Sequence, residues 1–162
     1  MFELSNQLGI SKKTLYEIVR SKEDLILEII EASRKSIKEQ QAMIYDDQSL
    51  SNIQKLRSLL TVVPVFHMAF NYNRLEELKK RYPAIYERVV FLFESDWDRT
   101  FGIMQTAIDS KEMKTINLSL FKKIYINAVT ALHDDFTFEK LNLTYKQALE
   151  EIISILLEGI IL

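Results

Sequence analysis

Apolar residues recur along this chain at three- and four-residue intervals, the spacing that gathers them on one side of an α-helix. The pattern is plain where Leu25, Ile26, Ile29, Ile30, Ile37 and Ile44 are interleaved with Glu28, Glu31, Arg34, Lys35 and Lys38. It predicts a long amphipathic helix over 22–45. Two shorter helices are expected ahead of it, over 2–8 and 12–19, parted by Gly9, a residue suited to the left-handed backbone that ends a helix. Ile10 is placed to plug the turn. Ser11 and Ser21 stand where N-caps belong, and Asp24, three residues after Ser21, makes an approximate capping box.

Beyond residue 45, Ser49 or Ser51 opens a helix carrying Ile53, Leu56, Leu59, Leu60 and Val63. Pro64 breaks it, because an interior proline removes one hydrogen bond and clashes with the preceding turn. The stretch 65–70 is apolar on all sides and reads as buried. A short polar helix over 71–82 follows and ends at Pro83, which also suits the first position of the next helix. That helix is expected to run unbroken over 83–110, with Ile85, Val89, Phe93, Trp97, Thr100, Phe101, Met104 and Ile108 as one stripe. A polar connection over 111–118 leads to two apolar helices, 120–134 and 145–161. No stretch alternates with the period of a strand, so the fold class is all-α. The two closing helices carry more apolar surface than a modest monomer covers, which implies a homodimeric four-helix contact through them.

Composition narrows the picture. Among 162 residues there are 3 Gly and 2 Pro, too few to furnish the turns of a hairpin-rich fold. The chain has no Cys, which excludes disulfides, thiolate metal sites and a Cys nucleophile. No basic segment followed by an apolar one opens the sequence, and no apolar run approaches the roughly 20 residues that span a bilayer. A cytoplasmic protein with no membrane partner is therefore expected. Net charge is −2, but the residues up to Lys22 carry +2 from Lys12, Lys13, Arg20 and Lys22 against Glu3 and Glu17, leaving −4 for the rest. A locally basic head on an acidic body suits phosphate contact.

Enzyme chemistry finds no support. There is no Gly-rich phosphate loop and no nucleophile elbow. His67 and His133 are far apart in sequence, a poor start for a zinc site. Asp46-Asp47 and Asp134-Asp135 are adjacent pairs whose side chains diverge. The chain is expected to have no catalytic residues, no metal and no cofactor.

The opening segment resembles the TetR family of bacterial transcriptional regulators. The residues that carry the resemblance are Leu4-Ser5, Leu8-Gly9-Ile10-Ser11, Thr14-Leu15-Tyr16 and Ser21-Lys22-Glu23-Asp24-Leu25, in the family's order and spacing without a gap. Arg81-Tyr82-Pro83 opening a long helix is a further likeness. Ile18 and Val19 stand where the family usually has aromatic residues. The resemblance begins at the family's second helix, so the expected head lacks helix one. It implies a helix-turn-helix DNA-binding domain with connecting helix over 1–45 and a helical regulatory and dimerisation domain over 46–162.

What the resemblance implies for function follows from these positions. The recognition helix, capped by Ser11, enters the major groove of a double-stranded operator, with Lys12, Lys13 and Thr14 facing the groove. Tyr16 matches a phosphate-contacting hydroxyl, and Lys22 a phosphate contact at a helix N-terminus. A small apolar or amphipathic ligand is expected in the second domain, where Phe66, His67, Phe70, Trp97, Phe101, Met104 and Tyr125 are the candidate lining residues. The expected function is a ligand-responsive repressor. The alternative is a helical dimer that binds a ligand or partner and does not hold DNA.

Overall fold

The computed structural model of the chain describes residues 1–62, 75–95, 97–134 and 142–162, without the side chains of 75, 76, 93, 94, 133 and 134. Among these residues the fold is all-helical. The head comprises α1 (Phe2–Gln7) and α2 (Lys12–Ile18), and the connecting helix α3 runs over Lys22–Asp46. The body comprises α4 (Asn52–Leu60), α5 (Leu75–Arg81), α6 (Pro83–Glu94), α7 (Asp98–Asp109), α8 (Leu118–Asp134) and α9 (Tyr145–Glu158).

Two apolar clusters organise the body. In the larger, Leu56 and Leu60 of α4, Met104 and Ala107 of α7, Phe121 and Leu132 of α8, and Leu149, Ile153 and Leu157 of α9 are buried together with Met113. Met113 is reached by a turn that reverses the chain after α7. The Glu112 N–H donates to the Ala107 carbonyl at 2.9 Å and the Lys111 N–H to Ile108 at 3.0 Å, with Lys111 at φ 61°. A single antiparallel bridge between Met113 and Ile161 then ties this turn to the segment after α9. In the smaller cluster, Ile30 of α3 packs with Ile85 and Val89 of α6.

Caps close the helices where small polar residues allow. Ser51 and Gln54 form a complete capping box on α4, and Thr144 and Gln147 form another on α9. Each satisfies two backbone donors that a helix start leaves without partners.

Two sequence expectations need correction. The single helix expected over 83–110 is two helices, because the chain leaves helical geometry after Glu94. Ser95 is extended at φ −84°, ψ 169°, and its hydroxyl donates to the Leu92 carbonyl at 3.2 Å. A serine that bonds the preceding turn offers the backbone an alternative to the helix ladder, and Asp98 supplies the acidic first turn of α7. The last helix stops at Glu158, short of 161, because Ile160 and Ile161 join the bridge region and the Lys114 N–H donates to the Ile160 carbonyl at 2.7 Å. The expected break at Pro64, the buried stretch 65–70 and the start of the helix over 71–82 lie outside the described residues.

Candidate nucleic-acid interface

The head is built on its turn. The Gly9 N–H donates to the Asn6 carbonyl at 3.2 Å and the Ile10 N–H to the Ser5 carbonyl at 3.0 Å, the paired bonds of a Schellman motif. Gly9 has φ 65°, the conformation that a side chain strains. The Ser5 side chain is buried, and its hydroxyl donates to the Phe2 carbonyl at 2.8 Å, so no buried donor is left over.

That turn delivers the chain to Ser11, whose hydroxyl oxygen accepts from the Thr14 N–H at 3.0 Å. The cap starts α2 and presents its first turn to solvent. Lys12, Lys13 and Thr14 are all exposed there. The Thr14 hydroxyl lies 2.9 Å from that of Ser11, so part of its hydrogen-bonding capacity is spent on the cap. Tyr16 is exposed, and Lys12 Nζ stands 5.8 Å from its ring centroid. Leu15 points the other way and is 4 % exposed, the anchor of α2 against α1. Ser21 accepts from the Asp24 N–H at 3.0 Å and caps α3, placing Lys22 at its first position. Ser11, Lys12, Lys13, Thr14 and Tyr16 thus share the exposed first turns of α2, and Lys22 is exposed at the start of α3. Phe2, Leu8 and Ile18 also remain exposed on the head, Ile18 at 71 %.

The connecting helix is about 37 Å long at 1.5 Å per residue, and its far end is fastened to the body. The Tyr45 hydroxyl lies 2.8 Å from Thr100 Oγ1, and Thr100 is 5 % exposed. Arg99 lies over the Tyr45 ring at 4.0 Å and pairs with Asp46 at 3.3 Å. Lys55 Nζ donates to the Tyr45 carbonyl at 2.8 Å. The helix expected over 22–45 carries no local sign of this junction, since its partners lie on α4 and α7. Nearer the head, Arg88 of α6 pairs with Glu31 at 3.2 Å beside the Ile30 contact.

Of the candidate ligand residues, Trp97, Phe101 and Tyr125 form a stack. The Trp97 centroid lies 5.6 Å from that of Phe101 and 5.4 Å from that of Tyr125. The Tyr125 hydroxyl donates to the Leu60 carbonyl at 2.8 Å, and burial pushes its phenol above the usual tyrosine range. Met104 is fully buried in the same cluster. Phe66, His67 and Phe70 lie outside the described residues, as does the His133 side chain. An open groove of about 360 Å³ runs along α3, lined by Glu31, Arg34, Lys35, Lys38, Glu39 and Ala42. Among the described residues no group of three or more His, Asp or Glu is placed to hold a metal ion. None of the described helices is long and apolar enough to cross a membrane.

A helix-turn-helix head joined by one long helix to an all-helical body is the architecture of a DNA-binding regulator, and one curated relative agrees. The chain is 28 % identical over 160 residues to a protein of Bacillus subtilis (strain 168) named "Uncharacterized HTH-type transcriptional regulator YvaF". The match takes in 99 % of this chain and 84 % of that protein. No protein-family profile matches the chain, and no solved structure matches it.

Proposed function

We propose that the chain is a TetR-type transcriptional regulator, a ligand-responsive repressor that holds double-stranded operator DNA as a homodimer. The observation that carries this reading is the α2 surface. Ser11 caps a helix whose first turn exposes Lys12, Lys13 and Thr14, while Leu15 anchors its back. Such a helix fits the major groove, where lysines meet phosphates and base edges. Its relative's printed name supports the same class.

The dimer follows from exposed apolar side chains on the closing helices. Leu120 and Ile124 lie one turn apart on α8, and Ile155 on α9 is 69 % exposed. Pairing α8 and α9 with those of a second copy removes this surface from water. The working division is a head with connecting helix over 1–45 and a regulatory and dimerisation unit over 46–162.

Regulation runs through α3. The helix meets the body at two stations, Tyr45 on α7 and Ile30 on α6. Thr100 lies one turn from Trp97 and next to Phe101 on α7, so a small apolar or amphipathic molecule lodged against Trp97, Phe101 and Tyr125 displaces the station that holds Tyr45. The heads then move apart or together. Affinity for two half-sites set one helical turn apart falls with any change in that spacing.

Hydroxyl-radical footprinting on DNA upstream of the chain's own gene tests the reading. Two protected patches about one helical turn (10 base pairs) apart are expected. Uniform cleavage along the duplex overturns it. The exposed Phe2, Leu8 and Ile18 favour a second reading, a helical dimer that binds a ligand or partner and does not hold DNA. Uniform cleavage by a chain that sediments as a dimer supports that alternative.

A further inference from the structure

The α5–α6 corner packs against the first turns of α3, the helix that follows the head, and carries its own cations there. Lys22, at the start of α3, has its Nζ 5.9 Å from the centroid of the Tyr82 ring. Tyr82 is no loose neighbour. It precedes Pro83 at the start of α6, its N–H donates to the Leu78 carbonyl at 2.7 Å, and it packs on the cluster of Ile30, Ile85 and Val89. The corner is therefore packed against the first turns of α3.

The last turn of α5 is Lys79-Lys80-Arg81, immediately before Tyr82, and all three side chains are exposed. Arg81 pairs with Glu77 at 3.2 Å, which leaves the positive charge of that turn with Lys79 and Lys80. Lys79 Nζ lies 5.4 Å from the Tyr86 ring centroid, held on the outside of the corner. Glu77 lies near the start of α5, so the end that meets Tyr82 is the cationic end. Consecutive Cα atoms are about 3.8 Å apart, which puts Lys79 and Lys80 within one helical turn of the ring over which Lys22 stands. A lysine side chain extends far enough from there to meet a phosphate neighbouring the one Lys22 contacts. In a chain of net charge −2, such a concentration of cations next to the head is a local departure from the whole.

We propose that Lys79 and Lys80 extend the DNA-binding surface beyond the head, contacting backbone phosphates that flank each half-site. The inference rests on the reading of α2 and Lys22 as DNA contacts. Such contacts carry no sequence information. They add affinity by releasing counterions, and each raises the steepness with which affinity falls with salt by about one unit of the log–log slope.

The test is a salt series on the full chain, with anisotropy of a labelled duplex of about 30 base pairs, long enough for two half-sites and their flanks. Wild type is compared with Lys79→Gln/Lys80→Gln and with Lys111→Gln/Lys114→Gln, whose exposed lysines lie on the turn after α7. Circular dichroism confirms equal helix content. The corner variant is expected to bind three- to tenfold more weakly at low salt, with a slope shallower by about 1–2, on two duplexes of unrelated sequence alike. The Lys111/Lys114 variant is expected to match wild type. An unchanged slope in the corner variant overturns the inference, whether or not affinity falls, because a misplaced head weakens binding without removing phosphate contacts. A wild-type chain that binds no duplex at all overturns the DNA reading itself, and this extension with it.

Discussion

Leu15 and Ile18 are three residues apart on one short helix, yet they do opposite things. Leu15 is the buried anchor of α2, and Ile18 is 71 % exposed. Leu15→Ala opens a cavity where α2 meets α1, a change that costs about 2–4 kcal/mol at a buried leucine. Amide exchange over residues 12–18 should accelerate strongly in Leu15→Ala and stay near wild type in Ile18→Ala; equal exchange in the two would contradict the packing described. Lys111 carries a second residue-scale prediction. It holds φ 61° at the turn after α7, where a side chain is strained and glycine is not. Lys111→Gly should raise the melting temperature, by a net of about 0.5–1 kcal/mol after the added freedom of the unfolded chain is counted. A lowered melting temperature would show that the lysine side chain has a role of its own. The caps at Ser11 and Ser21 were legible in sequence because each is a local motif, a small hydroxyl followed by a helix, while the third, left between Ser49 and Ser51, falls on Ser51. Lys111 was not, since nothing in the residue type announces a left-handed turn.

At the scale of elements, the junction of α3 with α7 includes a bond between Tyr45 and the buried Thr100 hydroxyl. Tyr45→Phe keeps the ring under Arg99 but leaves that hydroxyl without its partner, a loss of about 1–2 kcal/mol. Thr100→Val removes the orphan, so the double variant should recover part of the loss. Additive losses in a double-mutant cycle would show that the two groups do not interact. The α4–α7 contact has a pH signature. The Glu112 carboxylate accepts from the Ser110 hydroxyl at 2.6 Å and from Asn52 Nδ2 at 3.0 Å, and these bonds, Ser110 first, hold its carboxyl below the usual range. A lowered folded-state pKa contributes stability above the unfolded value, and that stability is lost as pH falls through the folded one. The melting temperature should therefore drop on acidification below about pH 4.5, and Glu112→Gln should flatten part of that drop. Helix identities were readable from periodicity because each stripe is an independent local signal. The break at Ser95 was not, because the apolar stripe continues in register across it. The Tyr45 junction joins residues 55 positions apart, beyond the reach of any local pattern.

For the whole molecule, the all-helical class was legible, and the geometry joining the helices was not. The sequence motif pointed to the cations Lys12, Lys13 and Lys22, and all three are exposed at the starts of capped helices. The contact of Lys22 with Tyr82 needed the fold, since packing on α3 is what brings the α5–α6 corner to it. The proposed dimer makes its own prediction: Ile155→Asp places a charge on an exposed apolar position of α9. Sedimentation should show it shifted from dimer to monomer with helix content retained, while a wild-type chain that sediments as a monomer would remove the dimer from the account. The claim on which the rest depends is that α2 meets DNA. Binding of a labelled duplex from upstream of the chain's own gene, measured by anisotropy between about 50 and 200 mM salt, tests it most directly. The account predicts affinity that falls as salt rises, weakened about tenfold by Lys12→Ala or Lys22→Ala with a shallower salt slope in each. A wild-type chain with no binding at the lowest salt, or variants indistinguishable from it, would contradict the account.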